Sequence, residues 1–226
     1  MSKSFVANVF TWMFAALGIT ALTAYLFGTD MSLISLMFTV QSDGTASLNI
    51  LGWIVMLAPF ILVLVMSMAV AKMKASTMVI LFVVYSVLMG MSLSFIFLAY
   101  TSTSIFKTFI ITAVMFGIMA VVGYTTKTDL TKFGNILLMG LVGIIIASLV
   151  NMFMGSERLE YIISILGVLI FTGLTAYGVQ KIKQIGMEGI EQNDTMTKIT
   201  IFAALSLYLD FINLFLYLLR FFGRRK

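Results

Sequence analysis

Read from the N-terminus, the chain alternates long apolar runs with short polar breaks. A helix that crosses a bilayer needs about 20 mostly apolar residues. Seven stretches meet that requirement, roughly 8–28, 49–71, 76–99, 104–125, 133–154, 161–182 and 199–222. The longest break, about 29–48, carries Asp30, Gln41, Ser42, Asp43 and Gly44. The next, about 183–198, carries Glu188, Glu191, Asn193 and Asp194. The pattern predicts an all-α integral membrane protein: a single seven-transmembrane-helix domain over residues 1–226, with no room for a second domain.

Composition strengthens this. The chain is 61% hydrophobic and 10% charged, where a soluble domain carries about 25% charged residues. Its mean hydropathy is +1.11. Water would leave too much apolar surface exposed, whereas a bilayer removes the problem. Only Lys3 precedes the first run, and no small-x-small cleavage site follows a short core. The first run is therefore expected to stay as a signal-anchor helix.

The net charge of +5 bears on orientation rather than on nucleic acid, which is not an expected partner. Basic residues concentrate in cytoplasmic loops and meet anionic headgroups. With seven spans, the N-terminal side holds Lys3, Lys72, Lys74, Lys127, Lys132, Lys181, Lys183 and Lys198, while the opposite loops hold Lys107 and Arg158. A cytoplasmic N-terminus follows. The basic tail Arg224-Arg225-Lys226 then lies outside, unless one stretch is re-entrant and returns it. Seven full spans is the reading adopted.

Small residues at helix-contact spacing, Ser86/Gly90/Ser94 and Gly140/Ile144/Ser148 with Gly143 and Ala147 alongside, suit close helix packing in lipid. The eighteen Met residues read as adaptable core filler. Pro59, midway along the second stretch, cannot donate a backbone hydrogen bond and clashes with the preceding turn. It predicts a kink, which shapes the helix or serves as a hinge.

Candidate chemistry is sparse. With no His and no Cys, thiol nucleophiles, the usual zinc sites and Ser-His-Asp triads are excluded. An intramembrane aspartyl protease needs two buried Asp residues, and a retinal protein needs a mid-membrane Lys in its last helix. Neither is present, and the chain is not read as an enzyme. One charge stands mid-span, at a cost of about 2.5–3.5 kcal/mol on insertion scales. It is Asp210, in Leu205-Ser206-Leu207-Tyr208-Leu209-Asp210-Phe211-Ile212-Asn213.

Helical spacing puts Ser206, Asp210, Asn213 and Tyr217 on one face, a polar stripe expected to point into the bundle. Asp210 could be protonated and hydrogen-bonded, a single ligand of a cation path, or a proton-linked switch. Tyr177 and Gln180, which could share a face with Gly173, and Asn151 are expected to make helix–helix hydrogen bonds.

The run Gly123-Tyr124-Thr125-Thr126-Lys127-Thr128-Asp129-Leu130 with Phe133-Gly134, the segment Leu174-Thr175-Ala176-Tyr177 with Gln180-Lys181, the final Ser206–Phe215 and the N-terminal Trp12-Met13 together resemble the Bax inhibitor-1 family, in particular its bacterial branch. The resemblance implies a seven-helix bundle with the C-terminal helix central, in the bacterial inner membrane. It implies a pH-sensitive cation leak, chiefly of Ca²⁺, with no cofactor, and eukaryotic relatives are linked to suppression of cell death. It also implies two Asp residues, from helices six and seven, that share a proton and gate the path.

Here the sequence departs from the family pattern. Tyr177-Gly178 stands where the family has Tyr-Asp, so Asp210 is kept and its partner position is altered to Gly178. Lys72 is the matching candidate for the family's basic latch at the inner end of helix two. Two readings follow: Asp210 acts as a lone coordination or proton site, the reading preferred, or a carboxylate of the 6–7 loop (Glu188, Glu191 or Asp194) replaces the partner. The competing class is a non-conducting regulator that binds other membrane proteins. The lipid bilayer is the one firm partner, and monomer and homo-oligomer stay open.

Overall fold

The computed structural model describes residues 2–40, 46–70, 72–187, 194–224 and 226. The seven runs are helices long and apolar enough to cross a membrane. The first is α1 (Ser2–Thr29); a short α2 (Met31–Ser35) and two strands, β1 (Phe38–Val40) and β2 (Ala46–Leu48), follow. The second span is α3 (Ile50–Ala69). The third is α4 (Ala75–Leu93) continued by α5 (Ile96–Ala99). Then come α6 (Ser102–Thr125), α7 (Thr131–Met154), α8 (Glu157–Met187) and α9 (Asp194–Phe222).

Helix ends follow ordinary capping logic. The first N–H groups of a helix lack intrahelical partners and take side-chain oxygens instead. Asn49 accepts from the Gly52 N–H (2.9 Å) to start α3, and Thr101 accepts from the Ser104 N–H (3.3 Å) to start α6. At the far end of α7, Gly155 takes the left-handed conformation (φ 60°) that glycine allows without strain. Pro59 lies buried within α3 without ending it.

The first connection is more ordered than its polarity suggests. β1 and β2 pair antiparallel, Phe38 opposite Leu48 and Thr39 opposite Ser47. Ile34, Met37 and Val55 form a small core beneath them, with Phe27, Phe38, Met91 and Phe95 packed around it. The hydrophobic pattern alone predicts only a polar break here. Gln41, Ser42, Asp43 and Gly44 lie outside the described residues.

The chain divides into two compact units. One comprises Met1–Ala7, Thr101–Ile190 and Ser206–Arg225; the other comprises Asn8–Tyr100, Glu191–Leu205 and Lys226. In the second, α3 packs on α4. There the predicted ridge Ser86/Gly90/Ser94 is buried, and a Cβ on Gly90 would come within 2.7 Å of the Thr20 carbonyl oxygen. Thr20 donates its hydroxyl to the Ser86 carbonyl (2.9 Å). The small residues thus let α1 and α4 touch backbone to backbone, as packing in lipid favours.

In the first unit α8 packs against both α6 and α7. A Cβ on Gly140 would come within 3.1 Å of the Ile170 side chain, whereas nothing stands within 4 Å of a Cβ on Gly143. The predicted second ridge therefore makes contact along one edge only. The C-terminal tail is pinned beside the start of α6: Thr101 donates to the Arg224 carbonyl (3.2 Å), and the Arg224 N–H donates to Ser104 Oγ (2.9 Å). Seven complete crossings put the tail and the connection between spans three and four on one side, and these bonds join them.

Candidate functional site

The mid-span carboxylate lies between stretches of α8 and α9 that belong to the same unit. α9 is the most buried of the seven spans, and Asp210 sits half-buried on it among Leu207, Phe211 and Leu214, all buried. Phe211 is fixed by edge contacts to Phe109 and Phe116 of α6, each with ring centroids 5.4 Å apart. Across from Asp210 stands Gly178 of α8. A Cβ on Gly178 would lie 3.6 Å from Asp210 Oδ2 and 3.3 Å from the Leu207 side chain. The two positions singled out in the sequence therefore face each other directly. Among the described residues no hydrogen bond or ion pair engages the Asp210 carboxylate.

The rest of the polar stripe is placed unevenly. Asn213 is half-buried and donates Nδ2 to the Leu209 carbonyl of its own helix (2.8 Å). Tyr217 stacks on Phe171 (5.8 Å) and carries Arg220 over its ring (5.7 Å). It packs against Gly167, where a Cβ would fall 2.6 Å from the ring. Ser206, one turn before Asp210, is exposed. Helical spacing places residues on a face, and neighbours decide how far along that face burial extends.

Lys72 is exposed in the turn after α3, with no side-chain partner among the described residues. Glu188 and Glu191 lie outside the described residues. Asp194 opens α9, and the helix separates it from Asp210 by about 24 Å at 1.5 Å per residue. Asp194 is therefore not the replacement partner of Asp210. No three of His, Cys, Asp and Glu come together to hold a metal ion among the described residues.

The loop motif 123–134 proves to be a joint. Gln180 of α8 accepts from the Leu130 N–H (2.8 Å) and donates to the Thr128 carbonyl (2.8 Å). Lys183 donates to the Tyr124 carbonyl (2.8 Å) and lies 5.1 Å from that ring's centre. The motif's glycines are where α8 comes closest. A Cβ on Gly123 would collide with the Ala176 carbonyl, and one on Gly134 would come within 2.7 Å of the Tyr177 ring. Asp129 accepts from the N–H (2.9 Å) and hydroxyl (2.6 Å) of Thr131 as α7 begins. These bonds hold its carboxyl below the usual range, chiefly through the Thr131 hydroxyl.

Sequence reasoning assigned Gln180 a helix–helix hydrogen bond and missed that both of its bonds go to loop backbone. Asn151 likewise accepts from the Ser156 N–H (3.1 Å) and shapes the turn after α7 rather than bonding to another helix.

Comparison with known proteins covers the whole chain. The family model described as "Inhibitor of apoptosis-promoting Bax1" matches residues 2–226. An inner membrane protein of Escherichia coli strain K12, YbhL, is 45% identical over 226 residues, covering 99% of this chain and 93% of that protein. An uncharacterized protein of Borreliella burgdorferi is 48% identical over 228 residues, covering 100% and 94%. One of Caulobacter vibrioides is 39% identical over 224 residues, covering 99% and 90%.

Proposed function

The chain belongs to the Bax inhibitor-1 family of membrane proteins, and on that premise we propose that it is a cation leak pathway, with Ca²⁺ as the transported ion and Asp210 as its lone intramembrane proton and coordination site. The observation that carries the reading is the 3.6 Å between Asp210 Oδ2 and a Cβ on Gly178. The family's partner position faces the carboxylate but brings no second acid. A paired gate titrates as a unit, and repulsion between two ionised carboxylates can drive helices apart. A lone carboxylate titrates singly, so the leak responds to pH over a broad, single-site range.

Ca²⁺ takes six to eight oxygen ligands when held, and one carboxylate suits passage better than residence. The inner position of the last helix is supported by its burial, the largest of the seven spans. An inner-membrane location is supported by the E. coli relative, and a cytoplasmic N-terminus by the lysines of the connections on its side.

The test is Ca²⁺ flux into proteoliposomes across a pH series. Asp210→Asn is expected to abolish the pH response and most of the flux; equal flux removes Asp210 from the mechanism. Gly178→Asp is expected to steepen the pH response, and an unchanged response refutes the altered gate. A non-conducting regulator of other membrane proteins is the second reading, favoured by the single carboxylate. No flux at any pH, together with a stable co-purifying partner, would establish it in place of the leak.

A further inference from the structure

The joint that pins α8 to the 123–134 loop also collects positive charge. Lys127 and Lys132 flank the two loop residues that Gln180 holds, Thr128 and Leu130. Lys181 follows Gln180 on α8, and Lys183 bonds the Tyr124 carbonyl. These four lysines and Asp129 give the joint a net charge of +3. All of them belong to one compact unit.

The lysines are of two kinds. Lys183 is half-buried, and its ammonium is engaged by the carbonyl and ring of Tyr124. It serves the fold, as a cation at the C-terminal end of α6. Lys127, Lys132 and Lys181 are exposed, and none makes a hydrogen bond or ion pair among the described residues. Lys132 acts on the Asp129 carboxyl through its charge, but that carboxylate is taken up by the N–H and hydroxyl of Thr131. Three ammonium groups therefore stand on a loop and a helical turn that hydrogen bonds fix together.

The apolar faces on either side set the depth of the joint. Val121 near the end of α6, and Phe133 and Ile136 at the start of α7, are largely exposed, as lipid-facing residues are. The polar turn between them lies where headgroups begin. The opposite ends of α7 and α8 differ. There Glu157 and Glu160 stand with Arg158 and Arg220, and the signs balance.

We propose that the joint binds the headgroup of an anionic phospholipid, phosphatidylglycerol, and that Lys127, Lys132 and Lys181 supply the charge that selects it. Exposed lysines at this depth attract anionic lipid, and an ammonium binds phosphate as a point charge. A choline or ethanolamine headgroup brings a cation of its own, which the lysines repel. The site stands apart from Asp210 and does not depend on the leak.

Native mass spectrometry of the full chain in detergent tests this, with phosphatidylglycerol, phosphatidylcholine and phosphatidylethanolamine of identical acyl chains in competition. Phosphatidylglycerol is expected to be retained about tenfold over each of the others at low salt. Equal retention of the three lipids overturns the proposal. The triple variant Lys127→Gln, Lys132→Gln, Lys181→Gln is expected to erase the preference. Its fold is kept, because the bonds of the joint come from Gln180 and Lys183. A preference that survives it overturns the role of these lysines. Lys107→Gln with Arg158→Gln, at the other membrane face, is expected to keep the preference; an equal loss there would show that overall charge, and not the joint, selects the lipid. Excess soluble glycerol phosphate is expected to leave the lipid bound, and full displacement would reassign the joint to a free phosphate ester.

Discussion

Helices α7 and α9 are both membrane spans, yet their surroundings are opposite. Of the 18-residue apolar segment of α7, 6% is buried inside the protein; for α9 the share is 61%. α7 is the more apolar of the two. In water the more apolar helix would be the buried one. In lipid the less buried helix needs no polar group, and the more buried one can carry Asp210 and Asn213 because protein covers more of it. Apolarity here marks contact with lipid, and polarity marks the interior.

The largest effect that can break this comparison is loss of a buried ring. Phe211 on α9 is 2% exposed and wedged between Phe109 and Phe116, whereas Phe153 on α7 is 85% exposed. Phe211→Ala should cost about 3–5 kcal/mol, and Phe153→Ala less than about 0.5 kcal/mol. Reversible unfolding in micelles measures both. Equal losses would mean that α7 is covered, by a second copy or another protein.

Next come the glycines, which sharpen the comparison within α7 itself. A side chain at Gly134 meets the Tyr177 ring, and one at Gly143 meets nothing within 4 Å. Gly134→Val should destabilise by about 1–3 kcal/mol through overpacking. Gly143→Val should be neutral to the same assay, or slightly stabilising because glycine is a poor helix former. A matching loss at Gly143 would place a partner against that face.

A smaller effect concerns how so little-buried a helix is held. Gln180 bonds both sides of the turn that leads into α7. Gln180→Leu removes two bonds worth about 0.5–1.5 kcal/mol each, partly recovered by water. The expected result is a loss of roughly 1–2 kcal/mol, with faster amide exchange at Leu130. Unchanged exchange there would mean that the turn holds itself.

How much of this was legible differs by element. All seven spans were readable because lipid enforces apolarity over a fixed length. The ends of the last two were not: α8 runs on to Met187 and α9 starts at Asp194, since hydropathy registers the bilayer and not the helix that continues beyond it. The hairpin of β1 and β2 escaped because three-residue strands owe their form to pairing and to the Ile34–Met37–Val55 core rather than to local preference. Asp210 stood out as the one mid-span charge, while Gly178 gained meaning only through the family resemblance. Periodicity gave the stripe of α9 its face, but the exposure of Ser206 depends on which helices lie alongside.

The smallest effect lies at the entrance of α7 and compares two acids built alike. Asp30 accepts from the Ser32 N–H (2.8 Å) and hydroxyl (2.6 Å); Asp129 accepts from Thr131 in the same way. Both carboxyls are held below the ordinary value of 3.8, in each case first by the hydroxyl bond and then by backbone N–H; for Asp129, Lys132 also contributes. A depressed carboxyl stabilises the fold above its unfolded value and loses that contribution as pH falls through its folded value. The Ser32 and Thr131 amide shifts, followed by NMR in micelles, should therefore titrate with midpoints below 3.8. Salt separates the two. Raising ionic strength from about 0.01 M to about 1 M cuts the screening length from about 30 Å to about 3 Å. The Asp129 midpoint should then rise slightly as Lys132 is screened, while Asp30, held by hydrogen bonds alone, stays in place. Equal movement of both would show that the local bonds, and not the lysine, respond to salt.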